Sequence, residues 1–385
     1  MTPTGILVLS TLVLLVGFAV TYWIHNQYHL DIVVSPSNPS PISSAPLISI
    51  IIPARNEARN IQRCVEALLA QSYPNFELIV VDDRSTDETP EILKAFVPRL
   101  SIVQGEELHP GWAGKPYALA QGVAVARGEW LCFVDADTFA TPDLITSAYI
   151  TAQTQKADLF TVMTAQELGS FWEKVILPLV FMALSVGFSP RRVNDPHRPE
   201  AVANGQFILI RRAVYEAIGG YEAIRDRIVE DKALAELVKR AGYRLVIADG
   251  RAVATTRMYT SLAEMWEGWT KNIYLGMQDR LWLLLIGAVV GLLAALFLPA
   301  WLIAGVFWFL VAGGLAAAVV ATEAVILWGY LLWMRIRAAQ AFGISPLYAF
   351  TLPLGALVFT AMMVASAYKV LSHQGVTWRG RVYQP

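Results

Sequence analysis

The sequence predicts an α/β protein, with a mostly parallel sheet domain flanked by apolar helices at both ends of the chain. Three observations predict it. The 385 residues are 55% hydrophobic with only 16% charged, and a mean hydropathy of +0.47 is too high for an ordinary soluble enzyme. Long uncharged apolar runs lie near both ends. Between them, short apolar β-branched runs alternate with helical periodicities, and polar residues close each run. A net charge of −1 gives no basic balance, which excludes nucleic acid as a partner class.

Taken in order, Gly5 to Ile24 is an uncharged run long enough for about 30 Å of hydrocarbon. No basic residue precedes it, so it reads as an uncleaved anchor rather than a signal peptide. Ser35 to Pro46 is rich in Ser and Pro and reads as a linker. Leu47 to Ile52 is nearly continuous apolar sequence ended by Pro53, as for a strand buried on both faces. Ile61, Val65, Leu68 and Leu69 recur at helical spacing, and Leu78 to Val81 forms a second strand ending at Asp82. Thr89-Pro90 starts a helix, Leu100 to Val103 is a strand, Pro116 to Ala126 a helix, and Trp130 to Val134 a strand closed by Asp135. Cys64 and Cys132 fall inside these apolar stretches without paired spacing, so both are expected in the core, and their scarcity fits a reducing compartment.

Leu281 to Met334 contains one charged residue, Glu323, and as helix would be about 80 Å long, with a break expected near Pro299. Leu347 to Tyr368 is a further apolar run between basic clusters. The charge pattern leaves the total at three to five spans. The expected boundaries are an anchor over 1–28, a linker over 29–46, a catalytic domain over 47–279, a membrane region over 280–372 and a basic cytosolic tail over 373–385.

In a parallel sheet the ligand crevice lies beyond the strands' carboxyl ends, where the polar residues of this chain collect. No Gly-x-Gly-x-x-Gly follows the first strand, which argues against hydride chemistry. Pro53 to Glu57 and Asp82 to Asp87 carry carboxylates and amides that suit a nucleobase edge and ribose hydroxyls, or are solvated loops. Asp135-Ala136-Asp137 offers two hard oxygen ligands for Mg²⁺ or Mn²⁺, although an isolated Asp-x-Asp is more often a surface loop. Glu230-Asp231 opens a helical stretch and supplies a carboxylate for general-base work; the helix dipole alone also favours acids there. Lys115, beside Gly114, reads either as a phosphate contact or as a surface lysine. His109 has no partner at ligand spacing and reads as a loop residue.

Together and in this order, Ile-Ile-Pro-Ala-Arg-Asn-Glu (51–57), Val-Val-Asp-Asp-Arg-Ser-Thr-Asp (80–87), Asp-Ala-Asp (135–137) and Glu-Asp (230–231) resemble the inverting family-2 glycosyltransferases of the GT-A fold, over about Ile48 to Ile273. The resemblance implies a Rossmann-like GT-A domain. It also implies a nucleotide-sugar pocket of Pro53, Ala54, Asn56, Glu57, Asp83, Lys115 and Asp135, with Asp83 on a uracil. Asp135 and Asp137 would hold donor and metal, and Asp231 would be the catalytic base. The family's Gln-x-x-Arg-Trp motif is not matched at Met265 to Asn272, which counts against polymer extension. Trp269 is expected to line the acceptor site, with Lys271 or Arg257 as the cation for the diphosphate and Glu230 and Gln206 beside them. Pro110 to Lys115, Asn204 to Phe207 and Gly219 to Tyr221 resemble the subgroup that glycosylates hydrophobic lipids, of the hydroxychlorobactene and ceramide glucosyltransferase type.

Two segments point to a lipid acceptor independently. Val175 to Pro190 is uncharged, too short to span, and preceded by Phe171-Trp172; Glu264 to Tyr274 adds two more Trp residues. An aromatic collar there, or alternatively core packing, would account for both. The expected activity is transfer of a hexose, glucose foremost, from a UDP-sugar to a hydroxyl of a carotenoid, hopanoid or ceramide- or diacylglycerol-like acceptor. The expected setting is a multi-pass protein of the plasma or inner membrane with its catalytic domain in the cytosol. The rival readings are a polyprenyl-phosphate or polysaccharide synthase, and a non-catalytic lipid-binding or flipping protein.

Overall fold

A computed structural model of the chain describes residues 3–27, 30–36, 45–276, 281–372, 376–378 and 381–383. Residues 37–44 of the expected linker, and most of the expected basic tail, lie outside this set. Helix α1 (Pro3–Gln27) leads into β1 (Ile48–Ala54), α2 (Ile61–Leu69), β2 (Phe76–Asp82), α3 (Thr89–Lys94), β3 (Ser101–Gln104), α4 (Gly114–Val125) and β4 (Trp130–Val134). There follow β5 (Thr138–Ala140), α5 (Leu144–Thr154), β6 (Leu159–Met163), β7 (Ala165–Gln166), α6 (Phe171–Gly187), α7 (Pro190–Asn194), β8 (Phe207–Arg211) and α8 (Arg212–Ala217). The domain closes with α9 (Glu230–Arg240), β9 (Leu245–Asp249), β10 (Ala254–Thr256) and α10 (Leu262–Gly276).

Seven strands form one sheet in the order β3-β2-β1-β4-β8-β6-β9. Only β8 runs against the rest, because it pairs antiparallel with both β4 and β6 while the other neighbours are parallel. This reversal positions the site: the amino end of β8 reaches the same sheet edge as the carboxyl ends of β1, β2 and β4. A second, three-stranded sheet, β5-β10-β7, stands beyond that edge.

Alternation along β1 feeds two cores. Ile48, Ile50 and Ile52 join α2 (Ile61, Cys64, Val65, Leu68) and α5 (Ile145, Ala148) on one face. Ile51 joins Ile79, Val81, Ala118 and Leu119 of α4 and Leu234 and Val238 of α9 on the other. All of these are fully or almost fully buried, and each such aliphatic side chain contributes about 1.5–3 kcal/mol. Cys64 and Cys132 are core residues, as expected. Helix α4 lies close enough to β1 that a Cβ on Gly122 would sit 2.5 Å from Ile51 Cγ2 and 3.0 Å from Val81 Cγ2. Gly122→Val is therefore expected to destabilise the domain by about 1–3 kcal/mol through overpacking, read as a lowered thermal midpoint; an unchanged midpoint would refute this packing.

After α10 come α11 (Leu281–Leu292), a π-helical turn (Leu293–Phe297), α12 (Leu298–Ala312), α13 (Leu315–Ala341), a 3₁₀ turn (Pro346–Thr351) and α14 (Leu352–Leu371). Strands β11 (Val376–Trp378) and β12 (Arg381–Tyr383) pair within the expected tail. The break expected at Pro299 is not there. The π turn accommodates the proline, so Leu281–Ala312 is one continuous helix, and the chain turns instead at Gly313 and Gly314, both at positive φ. Among the described residues, three helices are long and apolar enough to cross a membrane: Leu281–Ala312, Leu315–Ala341 and Pro346–Leu371. Their outward side chains, among them Trp282, Ile303, Phe307 and Leu310, are exposed, a surface that lipid would cover. Helix α1 packs on α13, where Glu323 accepts from Ser10 Oγ and from Thr11 Oγ1 (2.7 Å).

The segment expected either at the interface or in the core is α6. It starts at a capping box, Ser170 with Glu173, and buries Val175, Ile176, Leu177 and Val180 with Met265, Trp269 and Ile273 of α10 and Met362 and Met363 of α14. Helices α6 and α10 thus form an apolar layer packed against α14, one of the long helices.

Candidate active site

At the carboxyl edge of the sheet, two loops lock together. Asn56, at φ 53°, donates its amide N–H to Ser85 Oγ (3.0 Å) and accepts from the Thr86 amide (2.8 Å). The Glu57 amide donates to Thr89 Oγ1 (2.9 Å), the Ala58 amide to Asp87 (3.1 Å), and the Asp83 amide to Ala54 O (2.8 Å). Burial raises the Asp87 carboxyl, but Thr89 and the Ala58 amide outweigh it and hold the group below its ordinary range. Pro53, Ala54, Asn56, Glu57 and Asp83 thus belong to one rigid rim, with Asp83 itself buried.

Beside this rim four charged side chains converge from three elements. Lys115, at the start of α4, reaches Asp135 Oδ1 at 2.7 Å and Glu230 Oε1 at 2.6 Å. Asp231, in the first turn of α9, accepts from the Gly205 amide (3.0 Å) and the Lys232 amide (2.7 Å). Gly205 arrives at the amino end of the reversed strand β8. A Cβ there would lie 3.0 Å from Lys115 Nζ, 3.3 Å from Asp231 Oδ2 and 3.5 Å from Asp135 Oδ2, so the missing side chain leaves the room in which these groups meet. Pro53, Lys115, Asp135, Gly205, Tyr221 and Glu230 line one recess.

The electrostatics follow from this crowding. Burial and the neighbouring Glu230 charge raise the Asp231 carboxyl to about 6. Asp135 is also raised by burial, against the pull of Lys115. Burial would lower Lys115, but Asp135, Glu230 and Asp231 overcome it and keep the ammonium charged well beyond its usual range. Burial lowers Lys271 of α10 to about 8 even though Glu230, Asp231 and Asp135 attract its charge. A carboxyl raised to about 6 is protonated below that pH and cannot accept a proton. If Asp231 is the base, kcat/KM falls about tenfold per pH unit below 6, which a pH–rate profile checks; a limb near 4 would remove burial from the account.

Lys115, Asp135, Glu230, Asp231 and, electrostatically, Lys271 are brought together. Gln206 is not turned to the recess: it is buried, and its amide oxygen accepts from Thr164 Oγ1 and from Asn204 (3.1 Å). Trp269 is buried in the apolar layer beside Tyr259, one turn or less from Lys271 on the same helix. Arg257, expected as one candidate diphosphate cation, instead pairs with Glu173 at 3.2 Å. The Ser-Phe-Trp-Glu sequence at 170–173 is a capping-box signature that marks Glu173 in advance. His109 is a loop residue, as expected, resting near Tyr117.

Among the described residues no group of three or more His, Cys, Asp or Glu converges in metal-ligand geometry. Asp135 and Asp137 are hard oxygen donors one residue apart, the chemistry that Mg²⁺ and Mn²⁺ take in ones and twos before completing their shell with substrate phosphate oxygens.

The mostly parallel sheet with one reversed strand and an acidic pocket at its carboxyl edge defines a GT-A fold. Residues 49–219 match the model of glycosyl transferase family 2. The 4,4'-diaponeurosporenoate glycosyltransferase of Staphylococcus aureus strain USA300 is 29% identical over 232 residues, covering 60% of this chain and 61% of the relative; the protein of strain MRSA252 matches equally. The chain thus spans under two thirds of these relatives' length. Among solved structures, a mannosyltransferase of Pyrobaculum calidifontis, determined with GDP-Man and Mn²⁺, matches with a TM-score of 0.53 at 19% identity, over 96% of this chain and 99% of that one. At that identity the match establishes the fold.

Proposed function

We propose that the chain is a membrane-embedded glycosyltransferase that moves a hexose from a nucleoside diphosphate sugar to a hydrophobic acceptor. The observation that carries this is the double allegiance of α10. Lys271 sits in the field of Asp135, Glu230 and Asp231, while Trp269 and Ile273 on the same helix belong to the apolar layer. A charged pocket for a diphosphate and an apolar layer for a hydrocarbon body therefore share one wall. An acceptor that keeps its apolar body in that layer avoids the cost of exposing it to water.

Asp83 and the Pro53–Glu57 rim hold the nucleoside, and Lys115 and Lys271 hold the diphosphate. When bound at Asp135 and Asp137, Mg²⁺ or Mn²⁺ supplies neutralisation of the charge growing on the leaving diphosphate. Asp231 takes the proton of an acceptor hydroxyl as its oxygen attacks C1, and single displacement inverts the anomeric centre. Glucose from a UDP-sugar is the favoured donor assignment, and the cytosolic face of the membrane the favoured side.

A second acceptor class is favoured by the relatives, whose name gives a carboxylate. A carboxylate is already ionised at neutral pH and has no proton to give up, so its product is a glycosyl ester rather than a glycoside. Mild alkali separates the two: a labelled product that survives base supports the hydroxyl acceptor, release of the sugar supports the carboxylate, and an acid-labile polyprenyl phosphate product or long glycan chains would contradict both.

A further inference from the structure

The helix that begins the apolar layer is tied to the loop that bears Asp135 and Asp137 through Arg257, whose side chain grips the helix and whose main chain meets the loop. Arg257 follows β10 immediately, and its amide N–H reaches Asp137 O at 3.3 Å, continuing the ladder in which Thr256 pairs with Thr138 of β5. Its guanidinium donates through Nε to Glu173 Oε1 (3.2 Å) and through Nη2 to Glu173 Oε2 (3.4 Å). The Glu173 side chain is fully buried and also accepts from the amides of Gly169 (3.1 Å) and Ser170. The guanidinium lies so close over Gly169 that any Cβ there would overlap it.

The far end of this connection is fixed in the long helices. Pro178 inside α6 has no N–H, which deprives the Lys174 carbonyl four residues earlier of its helical partner. Arg335 of α13, 1% exposed, fills that place, donating Nη2 to Lys174 O (2.8 Å) and Val175 O (3.1 Å). Gly355 of α14 approaches the same carbonyl so closely that a Cβ would be 2.9 Å from Val175 O. Helix α6 is thereby held by α13 and α14 one residue beyond the carboxylate that grips Arg257.

We propose that Glu173 and Arg257 form a positioning pair that sets the Asp135–Asp137 loop from the membrane side, so that the long helices determine where the donor's diphosphate is held. The proposal rests on the donor-site reading given above. Neither residue touches substrate in it. Both act through Asp137, in the way that outer partners orient a metal's ligands, where loss typically costs 10–100-fold in metal affinity. Exposed ion pairs contribute little; this one differs because one partner is fully buried and accepts from four donors.

The test uses the full chain in detergent or nanodiscs. Binding of UDP-glucose and of GDP-mannose is titrated against Mn²⁺, and the thermal midpoint is measured on the same samples. Glu173→Gln and Arg257→Gln are each expected to raise the half-saturating Mn²⁺ concentration by about tenfold or more, with Arg257→Lys restoring part of the loss. The double variant should be no worse than either single one, since the pair acts as a unit. Gly169→Ala, which displaces the guanidinium while keeping both charges, should give the same rise if the Gln variants do not fold. An unchanged half-saturating Mn²⁺ concentration in folded variants, whatever happens to the midpoint, overturns the pair beside a normal wild type. A wild type with no divalent-dependent nucleotide-sugar binding would instead bring down the donor-site reading, and this inference with it.

Discussion

Replacing Asp231 with asparagine is expected to lower transfer to a hydroxyl acceptor by roughly 10²–10⁴-fold while leaving nucleotide-sugar binding near the wild-type level. The position is suited to a base: it is half-buried, raised to about 6, and 3.0 Å from the amide of Gly205, which lines the recess. The substitution is not silent structurally. Each Asp231 oxygen accepts a backbone N–H, from Gly205 and from Lys232, and an amide can satisfy only one of them. That loss costs about 1–3 kcal/mol of stability, so the variant's folded fraction must be measured alongside. Rate per folded molecule isolates the chemical effect. Full turnover in folded Asp231→Asn would remove the residue from the base role, and with a base-labile product it would support the carboxylate acceptor, which needs no base.

The second large effect is expected at Asp135 and Asp137. Alanine at either should abolish divalent-dependent donor binding as well as transfer, a loss of several kcal/mol and so on the order of 10³-fold in kcat/KM. Asp135 carries a further role that distinguishes it. Its ion pair with Lys115 also orients the Lys115–Glu230 contact, so Asp135→Ala leaves that lysine with Glu230 and removes two functions at once. Asp137→Ala should be the milder change in the absence of metal and equally severe in its presence. Calorimetric titration of nucleotide sugar with and without Mn²⁺ reads both. Donor affinity that stays divalent-dependent in either variant contradicts the assignment.

Much of this was legible in the sequence where the physics is local. The strands there are built on mostly apolar runs, Ile48–Ile52, Leu78–Val81 and Trp130–Val134, that are buried and followed by polar residues. The helix opening at Glu230 was legible from its acids, and the burial of Cys64 and Cys132 from their apolar surroundings. What was not legible depends on distant pairing. Nothing between residues 200 and 211 announces that β8 runs against its neighbours, yet that reversal carries Gly205 to Asp231. The side-chain directions of Gln206 and Arg257 are likewise set by Thr164 and Glu173, both contributed by other elements. Pro299 misled because a proline usually ends a helix; a π turn just before it keeps the axis running, and the pair Gly313-Gly314 makes the turn instead.

The most direct measurement is organic-phase incorporation of label. Purified full-length protein is incubated with radiolabelled nucleotide sugars, Mn²⁺ or Mg²⁺, and total membrane lipid, then extracted with and without a chelator. The expected result is a labelled hydrophobic product, made from one sugar donor in strong preference, that disappears on chelation and in Asp231→Asn when the product is base-stable. Folded protein that transfers no hexose from any donor to any extractable acceptor, or that does so equally well with divalent ions removed, would contradict it.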